Sequence, residues 1–210
     1  MTIEHLFSSP LYTAKLEKHE EFKSKLEPLL YKDISEKEDK NEHDGWWSCN
    51  SYQTYLWGYG QEELQELMFE HVDNYMNELG YSAITYKISS SWFNMYGANQ
   101  YQEEHFHLPD LLSGLYVMRF DPDMHKGLVF TNKFPELAVI HEMHGLQPQN
   151  FSNAYAQNEI NLKEGHVYIF PSNLKHLVPP QPAKLDKDNY RITFTFNAVS
   201  YTHLTLPTKA

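Results

Sequence analysis

The chain has a single cysteine, Cys49, in 210 residues. No disulfide can form within it, and a reducing cytoplasm is its expected setting. Long apolar runs are also missing. No stretch reaches the roughly 18 residues of a membrane-crossing helix, so no membrane span is expected. Residues 1–5 carry neither a basic cluster nor an apolar core, so no signal peptide is expected either. Basic charge is scarce: 17 Lys and Arg stand against 28 Asp and Glu, a formal net charge of −11. That balance opposes non-specific binding to nucleic acid, and no basic cluster offsets it. Nucleic acid is therefore not an expected partner. Aromatic residues are plentiful at 15%, within an apolar content of 41%. This is too rich for a disordered chain, and the length suits one domain with a real core.

Helical periodicity is confined to the first part of the chain. Residues 18–31 read as a helix, with Phe22, Leu26, Leu29 and Leu30 at helical spacing. The densely charged stretch 32–44 reads as a loop or a mobile segment. Trp46 and Trp47 are expected to pack on the fold. Residues 61–79 form the best-marked helix, with Leu64, Leu67, Met68, Val72, Tyr75, Met76 and Leu79 on one stripe and Gly80 as its stop. Beyond Gly80 the pattern predicts strands at 84–96, 113–120, 127–131, 138–144, 167–171 and 191–200. In the last of these, Ile192, Phe194 and Phe196 alternate with Arg191, Thr193, Thr195 and Asn197. A polar face of that kind points to a strand lining a cavity. Helices followed by many short strands imply a mainly β fold, a sandwich or jelly roll with flanking helices. We expect a single domain over 1–199. Residues 200–210 resemble translated adaptor sequence and are expected to be a non-native tail.

Four residues carry the chemistry. His105 and His107 stand two apart, so in a strand their imidazoles share a face. His176, from a distant strand, would complete three ligands on one side of a metal. The other side would stay open, as in non-haem Fe(II) oxygenases. Arg191 follows His176 by fifteen residues and offers a planar fork of donors suited to a carboxylate. The pair His141 and His144 is spaced i, i+3, whereas a zinc-protease helix needs i, i+4. Glu103 and Glu104 could orient His105 from outside the ligand set, or simply form a solvated acidic edge. Trp92, Asn94 and Tyr116 could line the cavity, and Ser172 fits a turn before His176.

The segments Ser91-Trp92-Phe93-Asn94, His105-Phe106-His107, Ser113-Gly114-Leu115-Tyr116, Gly165 to Ser172 with His176, and Arg191 to Asn197 occur in that order. Together with the opening Leu6 to Leu11, they resemble the 2-oxoglutarate/Fe(II) oxygenases common in phages and marine bacteria. The resemblance spans roughly residues 4–199. It implies a double-stranded β-helix, cupin-like in form, and Fe(II) and 2-oxoglutarate as cofactors. With O₂, such an enzyme gives an oxidised product, succinate and CO₂. The resemblance also implies that Arg191 pairs with the 5-carboxylate of 2-oxoglutarate, helped by Thr193, Asn197 or Asn94. The wider superfamily uses H-x-D/E and a distant His, but here His107 holds the carboxylate's place. Three ligand sets stay open: all three His, Asp110 in place of His107, or two His with His107 behind them. The first is the expected one. A small molecule or a protein is the expected substrate class. A cupin-like dioxygenase without 2-oxoglutarate and a non-catalytic binding protein are the alternatives.

Overall fold

The computed structural model describes residues 8–40, 49–81, 85–133, 136–145, 155–186 and 188–200. Its elements run β1 (Tyr12–Lys15), α1 (His19–Lys40), β2 (Cys49–Asn50), β3 (Tyr52–Thr54), α2 (Gln61–Glu78), β4 (Tyr86–Tyr96), β5 (Tyr101–His105), β6 (Leu112–Arg119), β7 (Leu128–Thr131), α3 (Glu136–Met143), β8 (Gln157–Ile160), β9 (His166–Pro171), β10 (His176–Val178) and β11 (Arg191–Ser200). A six-stranded sheet has the order β1-β9-β6-β11-β4-β3, and a five-stranded sheet the order β2-β5-β10-β7-β8. Every pairing is antiparallel. This is the expected jelly roll of double-stranded β-helix type. Among the described residues no helix is long and apolar enough to cross a membrane.

The strict alternation of β11 is what builds the layers. Ile192, Phe194 and Phe196 are fully buried in one cluster with Phe22, Leu26 and Leu30 of α1 and Leu64, Met68 and Val72 of α2. Each such side chain contributes about 1.5–3 kcal/mol by leaving water. Both helices thus cover the outer face of the large sheet. A second cluster, with Leu115, Val117, Phe130, Tyr168, Phe170 and Val178, fills the space between the sheets. The polar residues of β11 point to that inner side.

Helix α2 follows its expected stripe, except that Leu67 is only partly buried and Leu79 is exposed. Gly80 adopts φ +78°, which lets Tyr81 N–H reach Met76 O at 2.9 Å and close the helix. Two expectations are corrected. Helix α1 does not stop at 31 but continues to Lys40, through part of the segment read as a loop. Its charges fall at helical spacing: Lys37 pairs with Asp33 at 3.3 Å, and Ile34 is buried. The segment 138–144 is not a strand; most of it lies in α3. Val139 and Ile140 suggested sheet, but the next strand in the sequence, β8, pairs directly with β7, and this segment joins neither sheet. A local helix satisfies its backbone instead. Trp46, Trp47 and residues 201–210 lie outside the described residues, as do Leu6 and Phe7; Ser200 is the last residue of β11.

Candidate metal centre and cofactor cavity

His105 closes β5 and His176 opens β10, and the two are direct partners across the ladder. Paired residues project to the same side, so their rings meet, with centroids 4.3 Å apart. His107 is not on the strand. It stands just past the end of β5, and its N–H donates to Ser172 O at 2.9 Å, clipping the turn to the segment before β10. Even so its ring lies 4.9 Å from that of His105 and 5.2 Å from that of His176. One imidazole nitrogen from each of the three lies within 4.8 Å of the others.

The tautomers of two rings follow from their partners. His105 Nδ1 is 2.7 Å from Glu103 O, and His176 Nδ1 is 2.8 Å from Leu174 O. A carbonyl only accepts, so each Nδ1 carries the proton and each Nε2 keeps a free lone pair. Burial lowers the pKa of all three groups, and their mutual repulsion adds to this for His107 and His176. His107 falls to about 4 and His176 well below its usual value. All three are neutral at pH 7, the form that binds metal.

Asp110, the alternative ligand, is not part of this cluster. Its carboxylate accepts from Ser89 Oγ at 2.8 Å, and Ser172 Oγ donates to its backbone carbonyl. Glu104 turns away to Thr131 Oγ and Lys175 Nζ. His141 and His144 belong to the α3 segment and take no part in the cluster.

Arg191 is entirely buried and lines the same cavity as the three histidines. Its guanidinium stacks 5.0 Å from the Tyr96 ring, yet Nε and Nη1 have no hydrogen-bond partner among the described residues. Burial lowers its pKa to about 10, so it still holds its charge at pH 7. A buried cation without an anion is costly. The donors of Arg191 therefore suit a carboxylate, and the three histidines beside it suit a divalent metal. Thr193 and Asn94 line it as expected; Asn94 bonds to Thr195, Trp92 and Gln53. Asn197 does not line it. Six residues along β11 from Arg191, roughly 20 Å of strand, it sits instead against His107. Tyr116, a second lining candidate, faces the helices, where its hydroxyl meets His19 Nδ1 at 2.6 Å.

Thr195 lines the cavity too, as the polar face of β11 implied; Tyr96 and Gln102 also line it and were not anticipated from the sequence. Alternation along β4 puts Tyr96 on the face of Trp92 and Asn94, a usable signal. Gln102 had none, because its place depends on a register irregularity between β5 and β10.

A double-stranded β-helix with three neutral imidazoles and a buried guanidinium in one cavity defines a class, the non-haem iron oxygenase fold. Residues 90–197, just over half of the chain, match the family model described as "Putative 2OG-Fe(II) oxygenase". The match runs through β4 to β11 and contains all four residues. The chain belongs to the 2OG-Fe(II) oxygenase family and is an Fe(II)- and 2-oxoglutarate-dependent oxygenase. No curated protein sequence matches it. Solved structures share its fold at low identity. A prolyl-4-hydroxylase of Pseudomonas putida is 10% identical, with 94% of this chain and 96% of that one covered and a TM-score of 0.59. AviO1 from Streptomyces viridochromogenes Tue57 is 11% identical, with 96% and 93% covered and a TM-score of 0.56. The viral collagen prolyl hydroxylase vCPH of Paramecium Bursaria Chlorella virus-1, solved as a 2OG complex, is 13% identical, with 90% and 94% covered and a TM-score of 0.52.

Proposed function

We propose that His105, His107 and His176 hold the ferrous ion and that Arg191 binds the 5-carboxylate of 2-oxoglutarate, in a hydroxylase-type oxygenase acting on a small molecule or a protein. The observation that carries the reading is the buried Arg191, with Nε and Nη1 unpartnered, in the cavity of a three-histidine cluster. The Nε2 lone pairs of His105 and His176 support their role as ligands, since their Nδ1 protons are committed elsewhere. Bound Fe(II) and 2-oxoglutarate supply the oxidative decarboxylation that activates O₂.

The protein's part is placement and exclusion of water. Arg191 presents its donors to the distal carboxylate, with Thr193 beside it on the same face of β11. Phe170 and Phe130 pack on His176, holding its ring and keeping that side dry. Trp92 and Asn94 border the cavity near His107 and are suited to meet the substrate. The need to neutralise Arg191 favours this reading over a cupin-like dioxygenase that uses no oxo acid. The motif resemblance supports an origin in phages or marine bacteria, and the single cysteine supports a reducing cytoplasm.

The test is a titration of Fe(II)-loaded protein with 2-oxoglutarate without oxygen, followed by its charge-transfer absorption. Arg191→Ala should weaken 2-oxoglutarate binding by about 2–5 kcal/mol, the cost of truncating one partner of a buried charge pair, and leave metal affinity nearly intact. Arg191→Lys should restore only part, because a point charge cannot reproduce the two-pronged contact. Equal affinity in the wild type and Arg191→Ala would refute the assignment of Arg191.

A further inference from the structure

His107 differs from its two neighbours in what stands behind it. The rings of His105 and His176 are each fixed by a backbone carbonyl, which no side-chain substitution can remove. His107 Nδ1 meets a side chain instead: Asn197 Nδ2, an amide donor as placed, stands 3.4 Å away. That amide is 95% buried and held from two sides. Its Oδ1 accepts from Ser113 Oγ at 2.8 Å, and its Nδ2 donates to Ser90 Oγ at 3.2 Å. Ser113 on β6 and Ser90 on β4 are its direct register partners, one on each flanking strand. Between Asn197 and Ala198 the β4–β11 register shifts, an irregularity of the kind that re-aims a side chain. The turn carrying His107 is anchored at the same place, where Leu111 N–H donates to Ala198 O at 2.8 Å.

We propose that Asn197 is the positioning residue of the third ligand: it holds Nδ1 of His107 so that Nε2 faces the metal. This rests on the three-histidine reading above. A ring bound to metal through Nε2 must carry its proton on Nδ1 and needs an acceptor there. The Asn197 amide supplies one by turning over. Its Oδ1 then accepts from His107 Nδ1–H, and its Nδ2 donates to Ser113. Both serine hydroxyls rotate, so the network is satisfied in either orientation. The 3.4 Å separation is long for a hydrogen bond and leaves room to shorten once Nδ1 is an obligate donor. His107 lies beyond the end of β5, so strand geometry does not orient it. Asn197 does.

The experiment is anaerobic titration with Co(II), whose absorption bands report both affinity and coordination geometry. Asn197→Ala should weaken Co(II) binding about 10–100-fold, the usual effect of losing the group behind a ligating His, and should alter the bands. Asn197→Asp should keep wild-type affinity or exceed it, because a carboxylate accepts from Nδ1–H. In a His107→Ala background, Asn197→Ala should cost nothing further, since the ring it positions is gone. Wild-type affinity in Asn197→Ala, an Asn197→Asp as weak as Asn197→Ala, or an equal loss in both backgrounds would overturn the proposal. Wild-type affinity in His107→Ala would overturn the three-histidine reading, and the proposal with it. A large loss in His107→Ala beside none in Asn197→Ala would overturn the proposal alone.

Discussion

At the scale of single residues, the centre combines neutral rings with one buried cation. Neutral imidazoles let a metal bind without displacing protons, but burial also gives the metal-free protein an acid weakness. His107 takes a proton near pH 6.5 in the unfolded chain but only near pH 4 in the folded one. His176 is shifted in the same direction by its burial. Between those values the unfolded state binds more protons, so stability falls as the pH drops from about 6.5 towards 4 and is unaffected by these groups above that window. Thermal unfolding of metal-free protein between pH 7.5 and 4.5 should show this decline. His176→Leu, which keeps an apolar side chain between Phe130 and Phe170, should flatten it. An unchanged slope in that variant would assign the acid sensitivity to other groups.

At the scale of elements, β11 carries the design, and its neighbour β6 makes room for it. Phe196 pairs with Gly114 in register, and a Cβ on Gly114 would lie 2.3 Å from Phe196 Cζ. The ring is fully buried beneath the helices and cannot swing out. Gly114→Ala should therefore destabilise the fold by about 1–3 kcal/mol, as overpacking does, measured by urea unfolding. Phe196→Leu should relieve much of that clash in the double variant, while simple additivity of the two losses would show that the ring is not the obstacle. The helices and strands were unequally legible. Helix α2 showed in its stripe because one face is packed and the other is wet. The continuation of α1 was hidden by charge, and α3 by its β-branched residues Val139 and Ile140.

At the scale of the whole molecule, the cavity lies between two sheets whose strands are interleaved along the chain. His105 and His176 come from the small sheet and Arg191 from the large one. Ligands that bind only the folded state should stabilise it by mass action. At a hundredfold excess over Kd the gain is about 2.7 kcal/mol, which is about 5–10 °C in Tm for a chain of this size. Co(II) and then 2-oxoglutarate should each raise the Tm of the wild type. In Arg191→Ala the rise with Co(II) should persist and the further rise with 2-oxoglutarate should vanish. A persisting second rise would place the oxo acid elsewhere.

The sequence by itself determined the parts that depend on local order. The alternation of β11 assigns Ile192, Phe194 and Phe196 to one face and Arg191 and Thr193 to the other, because strand side chains alternate whatever the surroundings. His105, His107, His176 and Arg191, in that order, suggested a metal centre with a cation for a carboxylate, and the family resemblance implied that the carboxylate belongs to an oxo acid. Only the tertiary structure decided what depends on partners distant in the chain. It paired His105 with His176 across a ladder, brought His107 in from a turn, and left Asp110 bonded to Ser89. It moved Asn197 from the cofactor's side to the back of His107, because a strand bulge and two flanking serines, 84 and 107 residues away in sequence, set where its amide points.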